Sequence, residues 1–212
     1  MSARVEAVLS LLADSDPHTV RLVTEQLITS PELLEEVRAR AEGEVGQVLA
    51  DVLWEKRLPD RISEVERCLL DLDSLDGLER FCWALSAAGR AQPQIAEAQR
   101  EINLWGDRLR ERLSDVRGGN ERLLVAIREL LAYEIGLHGD NETYESPENS
   151  FLDAVVIRRR GLPISLSVLY MMVGARAGIR VDGVAAPGHF LAKIGTTYFD
   201  PFNHAEPVPK EA

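Results

Sequence analysis

Arg160-Gly161-Leu162-Pro163-Ile164-Ser165-Leu166-Ser167, residues 160–167, decides how this chain folds. Gly161 and Pro163 punctuate it, and Pro163 suits the first position of a helix, where its missing N–H has no intrahelical partner to lose. The apolar run that follows predicts a helix over residues 164–177, ended by Gly178. Upstream, Asn149 or Ser150 offers a capping oxygen for another helix reaching residue 160. Downstream the periodicity falls to two residues, so 179–184, 189–194 and 197–199 read as short strands separated by Ala185-Ala186-Pro187-Gly188 and by a turn at Gly195-Thr196. Helices followed by an antiparallel meander make this part α+β.

Toward the N-terminus the chain is helix after helix. Val5, Val8, Leu9 and Leu12 mark one apolar face, and Asp16-Pro17 and Ser30-Pro31 each place a cap acceptor before a proline at the first helical position. Segments opening at Pro17, Pro31 and Glu44 carry the stripes Val20/Val23/Leu27, Leu33/Leu34/Val37 and Val48/Leu49/Val52/Leu53. Short amphipathic helices of this kind must stack, and residues 3–58 resemble HEAT-like helical hairpins without a fixed repeat. Further helices are expected over 63–72, 75–87 and 93–113, the last with a core stripe of Ala98, Ile102, Trp105, Leu109 and Leu113. Gly118-Gly119-Asn120 is the strongest break, which predicts a helical region 1–118 and a second domain 119–212. After a helix over 121–134, Gly136-Leu137-His138-Gly139-Asp140-Asn141 is loop chemistry, and the polar, aromatic texture through Pro147 points to something beyond packing.

Composition narrows the function. With 212 residues, 45% apolar, the chain can bury one good core or two small ones. Acidic residues (35) outnumber basic ones (24), and the formal charge of −11 argues against nucleic-acid or anionic-membrane partners. The N-terminal stretch lacks the basic and apolar regions of a secretory signal, and the apolar run 164–175, interrupted by Ser165, Ser167 and Gly174, is too short to span a bilayer. Cys68 and Cys82 sit inside helical patterns, as small buried hydrophobes of a reducing cytoplasm would. His18, His138, His189 and His204 show no metal-ligand spacing, and no Gly-rich phosphate loop is present, so neither metal nor cofactor is expected. Arg158-Arg159-Arg160 could meet phosphate, but basic residues ending a helix complement its dipole, and Tyr170, Met171 and Met172 fall at core spacing.

A nucleophilic cysteine needs its thiolate stabilised, as a helix N-terminus does, and a histidine oriented by a third group. The C-terminal order supplies that scaffold: a loop delivers the chain to a helix start at Pro163, His189 opens a strand, and Asp200 ends the next. Gly161-Leu162-Pro163, Gly178-Ile179, Gly188-His189-Phe190 and Phe199-Asp200-Pro201 resemble the transglutaminase-like superfamily, whose core runs Gly-x-Cys, Gly-Ile, His and Asp-Pro. The runs Asn149-Ser150-Phe151-Leu152, Arg159 to Leu166, Pro187 to Leu191 and Asp200-Pro201-Phe202-Asn203 are similar to its SirB-type branch, found in bacteria and in one F-box protein.

The resemblance implies a papain/transglutaminase-like domain beside the helical region, with His189 and Asp200 as its histidine and acid. Its cysteine would stand fifteen positions before Gly178, at Pro163, which carries no nucleophile. The expected function is therefore a non-catalytic, cytoplasmic protein- or peptide-binding or regulatory module, with a cleft lined by Tyr144, Asn149, Pro163, Phe190 and Asn203. Two alternatives stay open: a hydrolase or acyltransferase using Ser165 or Ser167 with His189 as base, and a helical scaffold. Branch members often continue into a tetratricopeptide-like helical tail, whereas this sequence stops ten residues past Phe202.

Overall fold

The Val5 stripe winds into α1 (Ala3–Leu12), and α2 (Pro17–Ile28) begins where Asp16 accepts from the N–H groups of His18 and Thr19 at 3.1 and 3.2 Å. Ser30 precedes α3 (Pro31–Arg38) as expected, but its hydroxyl makes no capping bond, so Pro31 alone marks that start. The computed structural model describes residues 3–114 and 117–209 and divides into two compact units, 1–64 with 90–92 and 65–89 with 93–212. The first unit closes over Val5, Leu12, Val20, Leu27, Leu34, Val37 and Leu49, the apolar faces read from the sequence.

In place of separate helices near 44–58 and 63–72, one helix, α4 (Gly43–Cys68), runs through Pro59 and is followed by a 3-10 turn, Leu69–Asp71. Pro59 is exposed, so the ring displaces no core atom, yet it removes the bond to the Glu55 carbonyl and crowds it. Pro59→Ala is accordingly expected to stabilise the helix by about 2 kcal/mol, the interior-proline penalty less the unfolded-state entropy that proline saves. A higher urea midpoint at unchanged slope would show it.

The second unit begins well before the break at 118/119, which falls inside it. Its core takes Trp83 from α5 (Leu75–Gly89) and Ala98, Ile102, Trp105 and Leu109 from α6 (Ile95–Leu113), joined to residues as distant as Ala205. α7 (Asn120–Arg128) ends in a π-helical turn, Glu129–Glu134. β1 (His138–Gly139) then pairs in parallel with β2 (Arg160–Gly161), which follows α8 (Leu152–Arg158). α8 starts after Phe151, later than expected, because Asn149 lies in a 3-10 turn, and it stops where Arg159 turns left-handed at φ 60°.

α9 (Pro163–Arg176) carries Pro163 at its first position and is almost wholly buried along Leu166, Leu169, Tyr170, Met172 and Val173. Behind it lies an antiparallel sheet in the order β3 (Asp182–Ala186), β4 (His189–Ile194), β5 (Thr197–Asp200), β6 (Glu206–Val208). The fold is α+β, with the meander in its expected place and one more strand. No helix among the described residues is long and apolar enough to cross a membrane.

Candidate functional site

Strand alternation puts His189, Leu191 and Lys193 on one face of β4 and Phe190, Ala192 and Ile194 on the other. On β5, Phe199 is register partner of Ala192, so Asp200 falls on the His189 face, two positions along. The pair forms: His189 Nε2 lies 2.8 Å from Asp200 Oδ2. Asp200 is held in turn, its Oδ1 accepting from the Phe202 N–H at 3.0 Å and its Oδ2 from Asn203 Nδ2 at 2.6 Å. A carboxylate accepting at Nε2 keeps the proton on that nitrogen and leaves Nδ1 as the acceptor. The imidazole is partly open, its side chain 30% exposed against 10% for Asp200.

Phe202, which the sequence did not single out as a site residue, is the floor of this pair. Its ring meets His189 edge to face, centroids 6.1 Å apart, and meets Tyr144 at 6.0 Å in the same manner. Tyr144 is half-exposed, and it rides on a segment fastened from beneath. Buried Asp140 accepts from the Thr143 N–H (2.9 Å), the Thr143 hydroxyl (2.6 Å) and Arg158 Nη2 (2.7 Å). Arg158 Nη1 also donates to Asn149 Oδ1, whose Nδ2 donates to the Thr143 and Tyr144 carbonyls. These bonds, the Thr143 hydroxyl first, hold the Asp140 carboxyl well below the usual carboxylate range against the opposing effect of burial. Arg158 is thus an internal clamp rather than a solvated helix end, and Arg159 donates to the Ile135 carbonyl at 2.8 Å.

The other expected lining residues separate. Asn203 joins the dyad; Asn149 is fully buried, its amide spent on the Thr143 and Tyr144 carbonyls and on Arg158. Phe190 belongs to the opposite face of β4, over Gly183, where a Cβ would come within 2.8 Å of its ring. Pro163 is buried at the start of α9. Ser165 Oγ accepts from the Leu162 N–H at 2.9 Å, with the Asn149 and Leu162 carbonyls at 2.9 and 3.0 Å to take its proton. That hydroxyl fastens the turn before α9, and it makes no hydrogen bond to His189. Ser167 is fully buried and has no hydrogen-bond partner among the described residues.

The second unit holds both cysteines, Cys68 at the end of α4 and Cys82 in α5. Cys82 packs against its core, and burial, then the neighbouring Glu79, pushes its thiol up to about 12. Such a thiol stays protonated and is a poor nucleophile.

A family model described as transglutaminase-like superfamily matches residues 96–212. A UPF0162 protein of Xylella fastidiosa is 40% identical over 92 residues, 42% of this chain and 33% of its own length. One from Vibrio cholerae is 30% identical over 141 residues, 64% of this chain and 52% of its own. Human F-box only protein 21 is 32% identical over 72 residues, 34% of this chain and 12% of its own. No solved structure matches. The chain spans between a third and about half of the length of these bacterial relatives. Since the matched residues run from α6 through the whole sheet and take in the α9 start, His189 and Asp200, the chain belongs to the transglutaminase-like superfamily.

Proposed function

We propose that this chain is a non-catalytic transglutaminase-like module that binds a protein or peptide partner, with a regulatory role in a cytoplasmic setting. One observation carries the reading: Pro163 occupies the first position of α9, where the superfamily resemblance puts the nucleophile, while the His189–Asp200 pair remains formed and partly open. An imidazole held through Nε2, with no partner for Nδ1 among the described residues, can accept from a partner's amide or hydroxyl as readily as it can take a proton during catalysis. The segment bearing Tyr144 is held by a saturated buried network, which lowers the entropy lost on binding.

Neither serine offers a substitute nucleophile. The Ser165 hydroxyl is committed to backbone, and Ser167 is sealed from solvent. Incubation with a fluorophosphonate probe is expected to leave the chain unlabelled, and glutamine-donor and peptide-amide assays are expected to show no turnover. Labelling lost in Ser165→Ala or Ser167→Ala, or turnover lost in His189→Ala, would replace this reading with the hydrolase or acyltransferase one.

A further inference from the structure

The face of the sheet that carries His189 continues beyond the dyad. Register places Asp182, Lys193, Tyr198 and Val208 in one row across it, with Val184 and Leu191 in the row between them and Ala186 beside His189. Over the open end of this face lies a cavity of about 550 Å³ lined by Val184, Ala186, Leu191, Lys193, Tyr198 and Val208, continuing across the Gly195-Thr196 turn. The lining mixes apolar side chains (Val184, Leu191, Val208) with polar groups that include Thr196 and the Tyr198 hydroxyl; among the described residues its one charged side chain is Lys193, and no carboxylate lines it.

The acids of this face among the described residues are paired off. Asp182 is bonded by Arg180 at 2.8 Å, Asp200 by His189 at 2.8 Å, and Glu206 by Arg128. Lys193, in a chain of formal charge −11, has no hydrogen bond or ion pair among the described residues. An ammonium beside apolar strand residues, with the described acids of this face already engaged, is complementary to an anion that also brings apolar surface. Along β4, Lys193 stands four positions from His189, about 13 Å of extended chain, so both can meet one extended ligand.

We infer that this face docks an extended apolar segment of a partner protein whose Asp or Glu side chain pairs with Lys193, about four residues from the part presented to His189. The inference rests on the binding-module reading and gives its partner a chemistry. A side-chain carboxylate fits better than a chain terminus because the groove runs on past Lys193 over the Gly195-Thr196 turn. Alternating apolar side chains would seat on Leu191, Val184 and Tyr198 as a facing strand does.

The test is fluorescence anisotropy of the 212-residue chain with a panel of labelled, C-terminally amidated decapeptides. These alternate Ser with Val, Leu or Ile and carry a single Glu at varied positions. At least one Glu peptide is expected to bind, with its Gln counterpart at least about tenfold weaker, the discrimination a charge-assisted contact supplies. Lys193→Glu should weaken the Glu peptide by a similar factor and favour the same peptide carrying Lys, a reversal that loss of folding cannot mimic. The inference is overturned if no Glu peptide binds, or if Lys193→Glu leaves binding unchanged. Lys193-dependent binding of decanoate or of a free-acid peptide lacking Glu, in preference to the Glu peptides, also overturns it. If His189→Ala weakens peptide binding while Lys193→Glu does not, the binding-module reading stands and the extension along the sheet fails; if neither substitution matters, both fail for these ligands.

Discussion

Arg158→Ala destabilises the second unit by about 3 kcal/mol, because it leaves a buried carboxylate short of its cation. The Asp140 side chain is 1% exposed, and Arg158 meets it at 2.7 Å. The two bonds from Thr143 remain in the variant, which keeps the loss at the lower end of what a broken buried pair costs. Arg158 also bonds Asn149, so the same substitution loosens the Tyr144 segment. Asp140→Asn separates charge from shape, since the amide keeps most of the packing and cannot satisfy both the Thr143 and Arg158 donors. Urea unfolding at pH 7 measures each cost.

The pH dependence follows from the sign of the shift. The Asp140 carboxyl sits below its unfolded value, so the stability it contributes is fully present above that value, near 4. It is lost as pH falls toward the depressed native value. The gap in unfolding free energy between wild type and Asp140→Asn is therefore expected to be constant from about pH 7 to 5 and to close below about pH 4. A gap that stayed constant down to pH 2 would mean the carboxylate charge contributes nothing.

Much of this was readable in the sequence because it rests on local chemistry. Asp16-Pro17 announces a helix start through one side chain and one ring, and the α6 stripe announces a core face through spacing alone. His189 and Asp200 could be paired because adjacent antiparallel strands with a tight turn leave few registers. What escaped is non-local. The segment from Glu44 and the helix over 63–72 read as separate, but helix context on both sides of Pro59 carries the chain through it. β1 and β2 are two residues each, too short to show any period, and β6 contains Pro207, which a sheet tolerates on its edge strand. Arg158-Arg159-Arg160 looks like a solvated run until Asp140, eighteen residues earlier, is brought under it. The boundary near 118/119 marks a real turn, but which core a helix joins is set by partners such as Trp83 and Trp105, far from any glycine.

Gly139→Ala gives the second large effect, and it acts on the dyad without touching it. A Cβ at residue 139 would stand 2.5 Å from the Phe202 ring, closer than any packed carbon tolerates. Gly139 cannot give way easily, because β1 is pinned to β2 by the register Gly139↔Gly161 and by the Asp140 N–H donating to the Gly161 carbonyl at 3.1 Å. Phe202 is tied as well, its N–H bonded to Asp200. The ring must therefore turn away from both His189 and Tyr144, and overpacking of this kind costs about 2 kcal/mol. A general loss of stability would look the same in a melt, so the decisive variant is the double one. Gly139→Ala with Phe202→Leu removes the clashing ring atoms, and the pair should be less destabilised than the sum of its members by at least about 1 kcal/mol. In the single variant the His189 imidazole resonances should shift at neutral pH, since the ring edge that faces them has moved, while resonances of the first unit stay in place. Strict additivity, with His189 unmoved, would mean that Gly139 is small for the strand's sake and that Phe202 does not position the dyad.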